Sequence, residues 1–228
     1  MARHAGARVG GDGVGLTTRL VHWAGRAGAL HHRPIDASQR ATALHATRHA
    51  IVLGRAQKVD DGFAARADAA GVDVARRVSG GSAVWVGPGE CAWVDVVVAR
   101  GAPGWNDDIG KAGCWMGDQW VAALGAAGVA DLHVHRTAME RRPGFDAVCF
   151  AGVGSGEVLR ADGAKLVGIS QRRTRAWALF QCAIPLRFDP APLIEVLGPH
   201  AEAGRHAAVA TLDFAVANAA TAALATLL

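Results

Sequence analysis

Two short segments carry the residue types that can act on a charged, chain-like ligand. The first is Arg76-Arg77-Val78-Ser79-Gly80-Gly81-Ser82-Ala83-Val84-Trp85, closed by Gly87-Pro88-Gly89. Adjacent glycines let a backbone approach a ligand and turn its N–H groups inward as an anion cradle. The arginines add planar forks that suit phosphate or carboxylate. Such a loop fits an acyl-adenylate, although an ordinary glycine-rich hairpin with surface arginines reads the same way. The second segment is Asp162-Gly163-Ala164-Lys165-Leu166-Val167-Gly168-Ile169-Ser170-Gln171-Arg172-Arg173. Asp-Gly makes a tight hairpin turn, which puts Lys165 at the start of the returning strand. Leu166, Val167 and Ile169 are apolar neighbours that would shield it. A shielded ammonium there can polarise an acyl carbonyl and neutralise a developing oxyanion or phosphate charge. The plain alternative is an exposed strand lysine. Gly168 marks close backbone approach, here by a chain-like ligand.

Three further observations bear on chemistry. Lys58, Lys111 and Lys165 are the only lysines among 24 basic residues, so a lysine retained where arginine is habitual points to a chemical need. Cys149, in Val148-Cys149-Phe150, falls on a strand expected over 147–150, just before the lysine hairpin. As a thiolate it would take an acyl group as a thioester, and as a thiol it would pack as a small hydrophobe. The other cysteines, Cys91, Cys114 and Cys182, lie far apart with no CxxC pair, which is no disulfide framework. Gly152-Val153-Gly154-Ser155-Gly156 mimics part of a dinucleotide fingerprint, but no long helix follows it, so it reads as a loop. His133-Val134-His135 has metal-like spacing without a third ligand, and no metal is expected.

The elements that must hold these residues follow from periodicity and punctuation. With 51% hydrophobic and 19% charged residues, 228 residues can bury a sizeable core, and one domain with a short extension is expected. Residues 1–58 hold nine basic residues against Asp12 and Asp36, while the remainder is slightly acidic. This is not the pattern of a uniformly basic nucleic-acid binder. Residues 1–35 read as a basic, loosely ordered leader, with residues 36–228 as the main domain. Helices are expected over 36–47, 62–70, 108–126, 190–197 and 208–227. Strands are expected over 50–53, 72–75, 82–86, 92–99, 131–135, 147–150, 156–160, 164–169 and 176–186. Trp115 and Trp120 on the 108–126 helix read as core. Strands cluster in runs instead of alternating with helices, which argues for α+β. No apolar run reaches the length of a bilayer span and no signal peptide is visible, so the cytoplasm is the expected compartment.

Together, the two segments resemble the lipoate–protein ligase family, which shares its catalytic domain with biotin–protein ligases and lipoyl/octanoyl transferases. The first matches the family's RRxSGG-x-A-V signature and the second its G-x-K-hydrophobic-x-G-x-x-Q pattern. Val52-Leu53-Gly54-Arg55-Ala56-Gln57 upstream and Phe180-Gln181-Cys182 downstream extend the likeness to about residues 50–186. It implies a mixed, mostly antiparallel sheet flanked by helices. It also implies that Arg77, Gly80, Gly81, Ser82, Ala83, Val84, Trp85 and Gly168 bind nucleotide or acyl group, with Lys165 touching both acyl carbonyl and phosphate. Two positions depart from the family pattern: Ser82 replaces a third glycine, and Val86-Gly87-Pro88 lacks a frequent histidine.

Three functions stay open on this reading. One is a ligase that uses ATP and Mg2+ to activate lipoate or octanoate and load a lysine of a lipoyl carrier domain. Carriers of that kind belong to 2-oxoacid dehydrogenases or are the glycine-cleavage H protein. A second is an ATP-independent octanoyl/lipoyl transferase, because Cys149 resembles the nucleophile of the transferase branches. The third is a non-catalytic relative that binds the acyl group or its carrier. No C-terminal accessory domain is expected, since only two helices follow Leu186. Neither a membrane nor nucleic acid is expected as a partner.

Overall fold

The computed structural model describes residues 7–9, 20–38 and 40–228. Among them, one eight-stranded sheet carries the fold. Its strands are β1 (Ala7–Val9), β2 (Val21–Gly25), β3 (Ala41–Ala46), β7 (Cys91–Ala99), β8 (Leu132–Val134), β9 (Val158–Arg160), β10 (Lys165–Arg173) and β11 (Trp177–Pro185). They lie side by side in the order β1-β2-β3-β7-β11-β10-β9-β8. A smaller sheet orders β5 (Asp73–Arg76), β4 (Ala50–Leu53) and β6 (Val84–Val86). Pairing is antiparallel except between β2 and β3 and between β4 and β5. The fold is therefore the mixed, mostly antiparallel α+β architecture expected.

Alternation along the central strands sorts their side chains onto two faces. Val94, Val96 and Val98 of β7 and Phe180, Cys182 and Ile184 of β11 pack under α3 (Ile109–Ala126) and α5 (Phe214–Leu227), together with Met116 and Trp120. The helices start where their caps sit: Asp108 accepts from the Lys111 N–H and Asp213 from the Ala215 N–H. The small sheet forms its own core with α2 (Phe63–Ala69) and α4 (Ala191–Leu197), through Ile51, Leu53, Leu193 and Leu197. A third cluster joins the sheets through α1 (Ala27–His31), where Leu30 packs against Leu44, Val52 and Trp93.

Four expectations need correction. Residues 20–35 are not a loose leader: β2 pairs with β3, and Leu30 of α1 is fully buried. Residues 1–6 and 10–19 of that segment lie outside the described residues. The helix expected over 36–47 is β3, whose Ala41, Thr42, Ala43 and Leu44 are buried between β2 and β7. Alanine-rich local propensity yields there to pairing on both sides. The 147–150 strand is a single bridge, Ala83 to Val148, followed by a 3₁₀ turn over Cys149–Ala151. Finally, residues 208–210 do not begin the last helix. They run beside Lys165, whose N–H donates to the Ala208 carbonyl and whose carbonyl accepts from Ala210.

Candidate active site

Lys165 opens β10 after the Asp162-Gly163 turn, and the pairing register slips between Lys165 and Val167. Such a slip re-aims a side chain. The ammonium is 1% exposed. It donates to Glu157 Oε2 at 2.7 Å, to the Cys149 carbonyl at 3.1 Å and to the Gly152 carbonyl at 3.0 Å. Phe150 covers it, its ring centroid 4.9 Å from Nζ. The three donors of the ammonium thus meet three acceptors. Glu157 is equally well held, accepting from the Gly154 N–H at 2.7 Å and the Ile169 N–H at 3.0 Å. The expected shield of Leu166 and Val167 is not what covers Lys165, since both pack in the core under α3 and α5. The 149–152 turn, Phe150 and Glu157 take that role.

The lysine borders one of two neighbouring cavities, which share Cys149, Ile169 and Ser170. On one side is a narrow, mostly apolar channel of about 50 Å³, lined by Val52, Val84, Trp93, Phe150, Ile169 and His31 among others. On the other is an open mouth of about 200 Å³, bordered by Gly80, Gly81, Ser82, Gly152, Glu157 and Lys165. The mouth continues into a broad groove of about 690 Å³ that shares the glycine loop and adds Arg55, Arg172 and Arg173. Gln171 Oε1 and Arg173 Nη1, both buried on the groove side of β10, have no partner among the described residues. Such orphaned polar atoms beside an open groove can pair with a polar ligand.

The glycine loop is built from within. Arg77 is buried, and its Nε and Nη2 both donate to the Gly80 carbonyl, at 2.9 and 2.8 Å. Ser79 bonds Gln181 Oε1 and Ser170 Oγ, each at 2.9 Å, tying the loop to β11 and β10. Ser82 donates to the Phe145 carbonyl. Gly54 has no room for a Cβ, which would sit 1.6 Å from the Gly81 carbonyl oxygen. Of the expected ligand contacts, Gly80, Gly81, Ser82 and Lys165 border the mouth, while Arg77, Val84 and Gly168 border the channel. Ala83 and Trp85 border neither, and Trp85 stacks on His49. Cys149 borders both cavities, with Arg77 Nη2 donating to its Sγ at 3.8 Å.

The two loop glycines differ in what they tolerate. Gly81 has φ +98° and a Cβ there would stand 2.4 Å from Arg77 Nη2, whereas a Cβ on Gly80 meets open space. Gly81→Val should therefore lose at least about 1–3 kcal/mol of stability from the backbone alone. Gly80→Val should melt like the wild type while obstructing the mouth and weakening ligand binding. Thermal melts beside binding of the acid and nucleotide check both.

Sequence reasoning missed Glu157 and His31. Glu157 lies two residues before Leu159, which pairs with Lys165, but the register slip beside that pair has no signal in the sequence. His31 was hidden by the reading of residues 1–35 as a leader. Burial pushes its imidazole down to about 3, with the Arg77, His32 and Arg33 charges adding to the shift. The folded value lies below the ordinary 6.5, so between these limits the unfolded chain binds the extra proton. Stability therefore falls as pH drops through that window, by up to about 1.4 kcal/mol per pH unit. Denaturant melts between pH 7 and pH 4 should show this slope, and His31→Phe should flatten it.

Comparison with known proteins places the chain in a family. Residues 20–223 match the family of the lipoyl protein ligase A/B catalytic domain. Protein Ta0514 of T. acidophilum, solved with bound lipoic acid, aligns over 79% of this chain and 68% of its own at 18% identity, TM-score 0.58. Lipoate-protein ligase A bound with ATP aligns over 79% and 68% at 21% identity, TM-score 0.56. A bi-partite lipoate protein ligase from Thermoplasma acidophilum, solved with its E2 lipoyl domain, aligns over 79% and 67% at 18% identity, TM-score 0.59. At these identities the likeness is one of fold. No curated protein matches the chain. Over nearly its whole length the chain belongs to the lipoyl protein ligase A/B catalytic-domain family, and it is an enzyme of that ligase or transferase kind.

Proposed function

We propose that the protein is a lipoate–protein ligase that joins lipoate or octanoate to AMP and then to a lysine of a lipoyl carrier domain. One observation carries this reading. The buried Lys165 borders a mouth that lies between a channel whose apolar lining suits an acyl chain and a polar, arginine-bordered groove that suits a nucleotide. In the first step a carboxylate oxygen attacks the α-phosphorus and pyrophosphate leaves. In the second, the carrier amine attacks the acyl carbonyl and AMP leaves. Lys165 would neutralise charge gathering on the acyl and phosphate oxygens in both. Among the described residues no group of three His, Cys, Asp or Glu side chains could hold a metal. Mg2+ would accordingly ride on the nucleotide phosphates, its usual arrangement with such substrates.

The test is mass measurement of an apo lipoyl domain incubated with the protein and lipoate or octanoate, with and without MgATP. An acyl adduct that requires ATP is expected. A second reading has its own observation: Cys149 borders both cavities and receives an N–H from Arg77. Its thiolate would accept an octanoyl group from one carrier as a thioester and pass it to another, without ATP. Under the ligase reading Cys149→Ser should keep ATP-dependent transfer within a few-fold, since the acyl group travels on AMP. The swap costs at most the roughly 1–3 kcal/mol of an unpaired hydroxyl in a partly buried site. A hydroxylamine-labile adduct on Cys149, formed without ATP and absent from the serine variant, would favour the transferase instead.

A further inference from the structure

The acyl channel has one polar wall that the chemistry at Lys165 does not use. Ser170, Gln181 and Asp95 are direct cross-strand partners on β10, β11 and β7, so they stand in a row on one face of the sheet. Asp95 is ion-paired with the buried Arg33 at 2.8 Å and accepts from Trp93 Nε1 at 3.0 Å. A hydrogen bond from Gln181 helps offset the burial that pushes the Asp95 carboxyl up, and it orients the Gln181 amide with its nitrogen toward Asp95. That amide nitrogen also lies 3.2 Å from His31 Nδ1, while its oxygen accepts from Ser79. His31 is neutral when folded, held there by burial. With Nδ1 accepting, the one ring proton is on Nε2. This N–H has no acceptor among the described residues, and the buried ring borders the channel.

The position of that donor along the channel follows from the sheet. Lys165 is on β10. His31 packs on Trp93 of β7, ring centroids 4.4 Å apart, with β11 between the two strands. Two strand spacings amount to roughly 10 Å, which is the reach of a medium-chain acyl group. The wall there is also polarisable, since the Trp93 ring lines the channel beside His31.

We propose that His31 reads the far end of the acyl chain, its Nε2–H selecting an acyl group that carries a lone-pair heteroatom there over an unsubstituted one. A lipoyl dithiolane meets this description and an octanoyl methyl does not. Plain methylenes would cover the N–H and leave it without any acceptor, whereas a sulfur accepts weakly and packs well on an aromatic face. The assignment rests on the reading of this cavity as the acyl channel.

Calorimetric binding of lipoate and of octanoate to the full-length protein tests it, alongside transfer to an apo lipoyl domain. The wild type should bind lipoate about five- to ten-fold more tightly. His31→Phe keeps a ring on Trp93 but removes the N–H, and the ratio should fall to about one. His31→Gln retains a donor and should keep part of the preference. A ratio unchanged in His31→Phe, or a wild type that prefers octanoate, overturns the proposal. Should His31→Phe fail to fold, octanoate with a terminal hydroxyl probes the same donor on the wild type, and binding no tighter than octanoate overturns it. Acids that bind without being transferred overturn the ligase reading alone, while acids that do not bind overturn both.

Discussion

Lys165→Ala should lower acyl transfer by about 100- to 1,000-fold or more, the usual consequence of removing one donor aimed at developing charge. The variant should fold but melt lower, because the buried Glu157 loses its counter-charge and keeps only its two backbone donors, the N–H groups of Gly154 and Ile169. Lys165→Arg should fail as well, despite keeping the charge. The ammonium sits at one point among three acceptors in a site 1% exposed, and the wider guanidinium has no equivalent place there. Single-turnover transfer of lipoate to an apo lipoyl domain, measured beside thermal melts, reads both effects. Either variant retaining wild-type rates would remove Lys165 from the chemistry.

The second large effect falls on stability more than on chemistry. Glu157→Leu leaves the Lys165 ammonium buried with two carbonyls and no counter-charge. Breaking a buried ion pair from one side costs about 3–5 kcal/mol, a large share of the 5–15 kcal/mol that holds a typical domain. At roughly 2–4 °C per kcal/mol for a chain of this size, the melting temperature should drop by about 10 °C. Removing both charges in Glu157→Leu with Lys165→Met should recover much of that loss, because no uncompensated ion remains. Strictly additive losses in this cycle would mean that the pair is not coupled as its 2.7 Å separation requires.

The reactive segments were legible because their constraints are local. An Asp-Gly turn makes the hairpin that starts β10 at Lys165, and the Gly80-Gly81 pair belongs to a loop whose backbone conformation Gly81 alone requires. The α3 helix was equally plain, with its Asp108 cap and the apolar spacing that buries Met116 and Trp120. Other elements were misread where neighbours far along the chain decide the outcome. Ala41–Ala46 has helix-favouring alanines, yet strands on both sides bury it as β3. Cys149 looked like a strand residue, but the chain turns there so that two of its carbonyls can reach the Lys165 ammonium.

By itself the sequence determined the family pattern, the lysine hairpin and the glycine loop, since each depends on residues within a few positions of one another. Tertiary structure alone decided what surrounds them. Glu157 became the partner of Lys165 through the slip in the β9–β10 register, and Arg77 turned inward to hold its own loop. His31 came to the channel from a basic segment that reads as a solvated leader. It is placed there because β2 pairs with β3 and α1 packs on Trp93 and Val52. The physical reason is the same in each case: a buried charge or N–H takes its partners from whatever the sheet brings within about 3 Å, and sequence distance does not enter that choice.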